Sequence, residues 1–121
     1  MMKKRVLIVD DDARNIFALS AILRSRQFEC VSCLSAEEAI KFLETDEHVD
    51  IVLMDMMMPD MDGYEAIPLI KEIPARANTP VISVTALAMV GDKEKCLAAG
   101  ADGYISKPVD VDKLLQLLEK I

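Results

Sequence analysis

Short apolar runs alternate along the chain with segments whose apolar residues recur at helical spacing. Val6–Val9, Ile51–Met54 and, interrupted by one serine, Val81–Val84 are nearly continuous apolar runs, the pattern of strands buried on both faces. Glu29–Cys33 and Gly103–Ser106 also look extended but mix in polar and small residues, which suits the edges of a sheet. Ile16, Leu19, Ile22 and Leu23 place a first helix from Arg14 to about Ser25. Ser35 ahead of Glu37 and Glu38 is an N-cap signature and opens a second, from Ala36 to about Leu43. A third spans Tyr64–Ile73, where Pro68 either kinks the helix or limits its regular portion. The fourth runs from about Met89 to Ala99, with Gly100 placed as its C′ residue. Asp110 caps the fifth, Val111 to about Lys120, with Leu114, Leu115 and Leu118 facing inward. Five strand–helix units predict an α/β fold with one doubly wound, five-stranded parallel sheet. An order 2-1-3-4-5 puts the poorer strands at the edges and the change of direction between strands one and three.

Each apolar run but one ends in a polar group of distinct chemistry. The first strand meets Asp10-Asp11-Asp12, the third meets Asp55, the fourth Thr85, and the fifth Lys107-Pro108. In a parallel sheet these emerge together at the carboxyl edge, where open α/β sheets bind ligands. Carboxylates, a hydroxyl and an amine gathered there suit one divalent cation plus one phosphoryl group. Asp10, Asp11 and Asp55 would repel one another unless a cation sat among them, and a hydrated, oxygen-rich site fits Mg²⁺ better than zinc or a caged calcium. Asp12 is read as a solvated loop residue or a cap for the first helix.

Composition narrows the function without naming it. The chain has 121 residues, 52% hydrophobic and 29% charged, which suits one globular domain over 1–121 with no effector domain after the fifth helix. A formal charge of −7 and the absence of tryptophan argue against nucleic acid. No apolar run approaches the roughly 20 residues that span a bilayer, and the four-residue run after Met1–Arg5 is too short for a signal peptide, so the expectation is no membrane and a cytoplasmic protein. Cys30 and Cys33 spell C-x-x-C, but within a strand they point to opposite faces, so structural thiols are expected rather than redox or zinc chemistry. His48 is read as a loop residue, and Met56–Met58 as loop packing rather than a soft-metal site.

Taken together, the motifs resemble the receiver domain of two-component response regulators, over the whole chain. They are Val9-Asp10-Asp11, Met54-Asp55 followed by Met58-Pro59-Asp60-Met61-Asp62-Gly63, Val84-Thr85-Ala86, and Gly103-Tyr104 ahead of Lys107-Pro108. A chemotaxis member of this family is a standard example of the flavodoxin-like 2-1-3-4-5 order, so the order belongs to what the resemblance implies. It also implies that Asp55 accepts a phosphoryl group from a sensor histidine kinase or a histidine phosphotransfer protein, and that an unknown downstream protein reads the result. Asp11, Asp55 and the Met57 carbonyl would hold Mg²⁺, with Asp10 acting mainly through water. Lys107, whose peptide to Pro108 is usually cis in this family, and Thr85 would contact the phosphoryl oxygens; backbone N–H groups near Met57 and Ala86 would complete the cradle. Tyr104 would be the switch aromatic, the alternative being a tyrosine packed at the sheet edge. Met57 and Leu87 would flank the path of hydrolytic water. The implied protein is a signalling switch that catalyses only its own phosphorylation and dephosphorylation.

Two other classes share parts of this pattern. A haloacid dehalogenase-type phosphatase needs a D-x-D-x-T-like run, and Asp10-Asp11-Asp12-Ala13-Arg14 lacks the threonine. A flavodoxin-like electron carrier needs a hydroxyl-rich phosphate loop where this chain has aspartates.

Overall fold

The computed structural model describes residues 3–86 and 91–120. Five strands, β1 (Arg5–Val9), β2 (Glu29–Cys33), β3 (Ile51–Asp55), β4 (Val81–Thr85) and β5 (Gly103–Ser106), pair in parallel in the order 2-1-3-4-5. The helices are α1 (Ala13–Ser25), α2 (Ala36–Leu43), α3 (Gly63–Glu72), α4 (Asp92–Ala98) and α5 (Val111–Glu119). All of β3 and β4 is buried, whereas β2 and β5 each keep partly exposed positions, as strand position dictates. Alternate residues feed two apolar layers. Leu7, Val9, Val52, Met54 and Val81 pack with Leu43 of α2, Ile67 and Ile70 of α3 and Cys96 of α4. Val6, Ile8, Ile51, Leu53, Ile82 and Val84 pack with Leu23 of α1 and with Leu114 and Leu118 of α5.

The helix ends follow local chemistry. Asp12, Ser35, Asp62 and Asp110 cap α1, α2, α3 and α5 through their side chains, and Asp62 with Glu65 forms a full capping box. Gly100 ends α4 at φ 111°, while the Gly100 and Ala101 amides bond back to Leu97 and Cys96 in a Schellman arrangement. Several details differ from the sequence pattern, among them α3, which spans Gly63–Glu72 rather than Tyr64–Ile73. The third helix continues through Pro68, which lies exposed, so the proline does not limit the regular portion. The strands β3 and β4 continue one residue further, taking Asp55 and Thr85 into the sheet. Described α4 begins at Asp92; Met89, the expected start, and Leu87 lie outside the described residues. A short 3-10 helix, Pro74–Arg76, precedes β4. Among the described residues no helix is long and apolar enough to cross a membrane.

Candidate functional site

Register puts the acids side by side. Val9 pairs with Met54, so Asp10 and Asp55 come next on adjacent strands, on either side of the change in chain direction. Asp55 is 3% exposed and Asp10 is 7% exposed, whereas Asp11 stands at the open mouth. One carboxylate oxygen from each of Asp10, Asp11 and Asp55 can be chosen so that all lie within 4.8 Å of one another. Octahedral Mg²⁺ holds oxygens at 2.0–2.1 Å, which puts neighbouring and opposite ligands about 3–4 Å apart. The three carboxylates therefore fit one such ion with small adjustment or a bridging water.

The lysine enters from the far strand. Lys107 follows β5, its peptide to Pro108 is cis, and its backbone N–H donates to the Thr85 carbonyl at 2.7 Å. Its ammonium lies 3.4 Å from Asp55 Oδ2 and 3.5 Å from Asp10 Oδ2. Charge-assisted pairs close at about 2.7–2.9 Å, so the ammonium straddles both acids without closing on either. Three carboxylates against one ammonium leave the cleft strongly negative. Thr85 is fully buried at the end of β4, its strand neighbour in register being Ser106.

Burial raises the pKa of Asp55; the Met57 N–H and the Lys107 ammonium oppose that rise, and the Asp10 carboxylate adds to it. For Lys107 burial acts downward, but Asp55 and Asp10 outweigh it and hold the ammonium above its ordinary value. The loop after β3 is arranged by backbone contacts. Met57 N–H donates to Asp55 Oδ1 at 3.1 Å, as Asp12 N–H does to Asp10 Oδ1 at 2.9 Å. Gly63 starts α3 so close to the strand end that an added Cβ would lie 2.9 Å from the Met56 Cα, which only glycine avoids.

Around the cleft, Met56 and Met58 are buried in the apolar layer while Met57 is 52% exposed beside Asp55. Asp12 does not join the acidic group; it caps α1, and its Arg14 partner lowers its pKa. Cys33 is buried in one apolar layer and Cys30 is packed against the other, which puts the two thiols on opposite faces of the sheet. Burial pushes the Cys33 thiol up to about 11, and no disulfide joins the described cysteines. His48 is exposed, next to Asp50 at the opposite edge. Tyr104 donates its phenol to Asp92 of α4 at 3.2 Å. Nothing in the sequence pattern marked Asp92 or the buried Arg76, because their partners are distant in the chain.

A doubly wound parallel sheet in the order 2-1-3-4-5, with an acidic cluster and a lysine at its carboxyl edge, defines a flavodoxin-like α/β domain. The model of the response regulator receiver domain matches residues 6–119, and the chain belongs to that family. It is 41% identical over 113 residues to part of the signal transduction histidine-protein kinase BarA of Escherichia coli, an alignment covering 93% of this chain and 12% of the kinase. The chain thus spans about an eighth of that relative's length. It is 33% identical over 118 residues to the polar-differentiation response regulator DivK of Brucella ovis, covering 98% of this chain and 95% of the regulator. Among solved structures, the receiver domain of sensor histidine kinase PA1611 of Pseudomonas aeruginosa, which has a magnesium ion coordinated in its active-site cleft, superposes with a TM-score of 0.89 at 31% identity, covering 98% of this chain and 97% of that one. Receiver domains accept phosphoryl groups in two-component signalling and act as switches rather than as turnover enzymes.

Proposed function

We propose that Asp55 is the phosphoryl acceptor and that this chain is a Mg²⁺-dependent switch read by another protein. The observation that carries this reading is the placement of one nearly buried carboxylate between two further acids and a lysine that closes on neither. An Asp55 carboxylate oxygen attacks the phosphorus of a phosphohistidine, the new P–O bond forms, the P–N bond breaks, and the imidazole leaves. Asp11, Asp55 and the Met57 carbonyl would hold Mg²⁺, with Asp10 acting through water. The ion supplies charge neutralisation at the phosphoryl oxygens. Lys107 does the same from the other side as a point charge, and Thr85 donates its hydroxyl. Loss of the Lys107–Asp55 contact on phosphorylation frees the ammonium for the new oxygens. Tyr104, on the strand after Thr85, carries the change toward α4 and α5 as a two-state element biased by the new charge.

The donor class is a histidine kinase or phosphotransfer protein, supported by kinship with a histidine-protein kinase's own segment. Intact-mass measurement after incubation with acetyl phosphate and Mg²⁺ tests the acceptor. One added phosphoryl group is expected in the wild type and none in Asp55→Asn, whose amide is a poor nucleophile; undiminished labelling of the variant overturns the assignment.

A further inference from the structure

Away from the acidic cleft, one buried carboxylate has an unexpected pair of partners. Asp92, in the first turn of α4, is 8% exposed. Its Oδ1 accepts the phenol of Tyr64 from α3 at 2.8 Å, and its Oδ2 accepts the phenol of Tyr104 from β5 at 3.2 Å. Three elements therefore meet on one side chain. Residues three and four places further along the same helix face complete the seam. The Lys95 ammonium lies 4.3 Å from the centre of the Tyr64 ring, and Cys96 Sγ lies 3.8 Å from the Tyr64 hydroxyl. Among the described residues Asp92 has no ion-pair partner, so a charge taken out of water relies on two phenols. Burial first, and then the bond to Asp92, raise the pKa of both phenols, which keeps them protonated as donors.

We infer that Asp92 is a positioning residue for Tyr104: its carboxylate, shared with Tyr64, fixes the phenol against α4, so that movement of the Tyr104 ring loosens α4 from β5 while Tyr64 keeps it tied to α3. This rests on the reading of Tyr104 as the moving element. The two oxygens are what make the arrangement specific. A carboxylate accepts on both, whereas an asparagine of the same shape offers one acceptor and one donor, and a phenol facing that NH₂ group loses its bond. Phosphorylation that draws Tyr104 away breaks one of two bonds, and Tyr64 then holds Asp92 alone. The face formed by α4 and β5 is thereby altered at its first turn, without any new contact to the phosphoryl group.

The chain has two tyrosines and no tryptophan, so its own emission reads this directly. Tyr64→Phe leaves Tyr104 as the sole emitter. A phenol bonded to a carboxylate emits weakly, because its excited state passes the proton to the acceptor. Weak emission is expected in Tyr64→Phe, and a clear rise in Tyr64→Phe with Asp92→Asn. Glu94→Gln, which removes an exposed acid from the same helix, serves as control and leaves the emission low. Addition of acetyl phosphate and Mg²⁺ should raise the emission of Tyr64→Phe and change that of the Asp92→Asn double variant much less. Helical circular dichroism establishes folding; if the double variant fails there, Asp92→Ser, suited to a first helical turn, replaces it. Emission in a folded Asp92 variant equal to that of Tyr64→Phe alone overturns the inference. Intact mass is recorded on the same samples, so absent labelling of Asp55 counts against the phosphorylation reading and unchanged emission counts against the role of Asp92.

Discussion

The two edges of the same sheet use their charges differently. At the amino edge, polar groups close tightly on partners. Arg5 donates its backbone N–H to Asp50 at 2.7 Å and its guanidinium to Glu47 at 2.9 Å. Lys71 reaches Asp102 at 2.8 Å and the Thr79 carbonyl at 2.7 Å, and the same Asp102 oxygen accepts the Val81 N–H at 2.9 Å. Arg76 is 6% exposed and donates to the carbonyls of Leu43, Thr45 and Glu47, fastening the loop between α2 and β3. At the carboxyl edge, Lys107 stays 3.4 Å and 3.5 Å from its two acids, and three carboxylates crowd together. Closed pairs hold the fold, and on the proposed reading the under-paired ones keep free energy to give to a cation and a phosphoryl group.

Exchanging damage between the edges breaks or sharpens this contrast. The largest effect on stability is expected from Arg76→Ala, which leaves three loop carbonyls without their donor at a cost on the order of 3 kcal/mol. Urea unfolding measures it. Phosphoryl acceptance per folded molecule should stay at the wild-type level, and a parallel loss would show that the two edges are not separable. At the other edge, Mg²⁺ at a hundredfold excess over its Kd should stabilise the wild type by about 2.7 kcal/mol. Thermal unfolding with Mg²⁺ and with chelator should show that gain blunted in Asp11→Asn and preserved in Arg76→Ala. An equal shift in wild type and Asp11→Asn places the ion elsewhere.

The pH dependence has a definite sign. Burial raises the pKa of Asp55 above its unfolded value, so its contribution to stability is present at low pH and is lost as pH rises through the folded value. Asp55→Asn should therefore lack the loss of stability across that range that the metal-free wild type shows on this group's account. Smaller still is the expected effect at the gate to the site. Met57 is 52% exposed and apolar beside Asp55, and on the proposed reading its side chain would exclude water without orienting it. Met57→Asn should shorten the phosphoryl lifetime by up to about tenfold, equivalent to about 1.4 kcal/mol of barrier. Unchanged decay in a folded variant that binds Mg²⁺ removes Met57 from that role. The least effect is a gain: Ser83 is fully buried in β4 and its hydroxyl has no partner among the described residues, so Ser83→Ala should stabilise by about 1 kcal/mol in urea unfolding.

The strands and the four chemistries at the carboxyl edge were legible because strand length and side-chain alternation fix which residue emerges at the end of each apolar run, while the strand order came with the family resemblance. Asp10, Asp55, Thr85 and Lys107 need only the sheet to bring them together. Arg76 was not legible, since its partners are carbonyls of residues 33, 31 and 29 positions away and carry no side-chain signature. Asp92 was not legible either, since its pairing with Tyr64 and Tyr104 spans 28 and 12 positions and depends on how α3, α4 and β5 pack. The continuation of α3 through Pro68 likewise depends on the apolar layer that Ala66, Ile67 and Ile70 bury, which outweighs one lost hydrogen bond.

The central claim concerns which of three neighbouring carboxylates carries the phosphoryl group. Borohydride reduces an aspartyl phosphate to homoserine, marking the residue covalently, and peptide mapping then reads the position. After treatment with acetyl phosphate and Mg²⁺, homoserine is expected at residue 55 alone, in the wild type and in Arg76→Ala. Homoserine at Asp10 or Asp11 with an unmodified Asp55 would contradict the account.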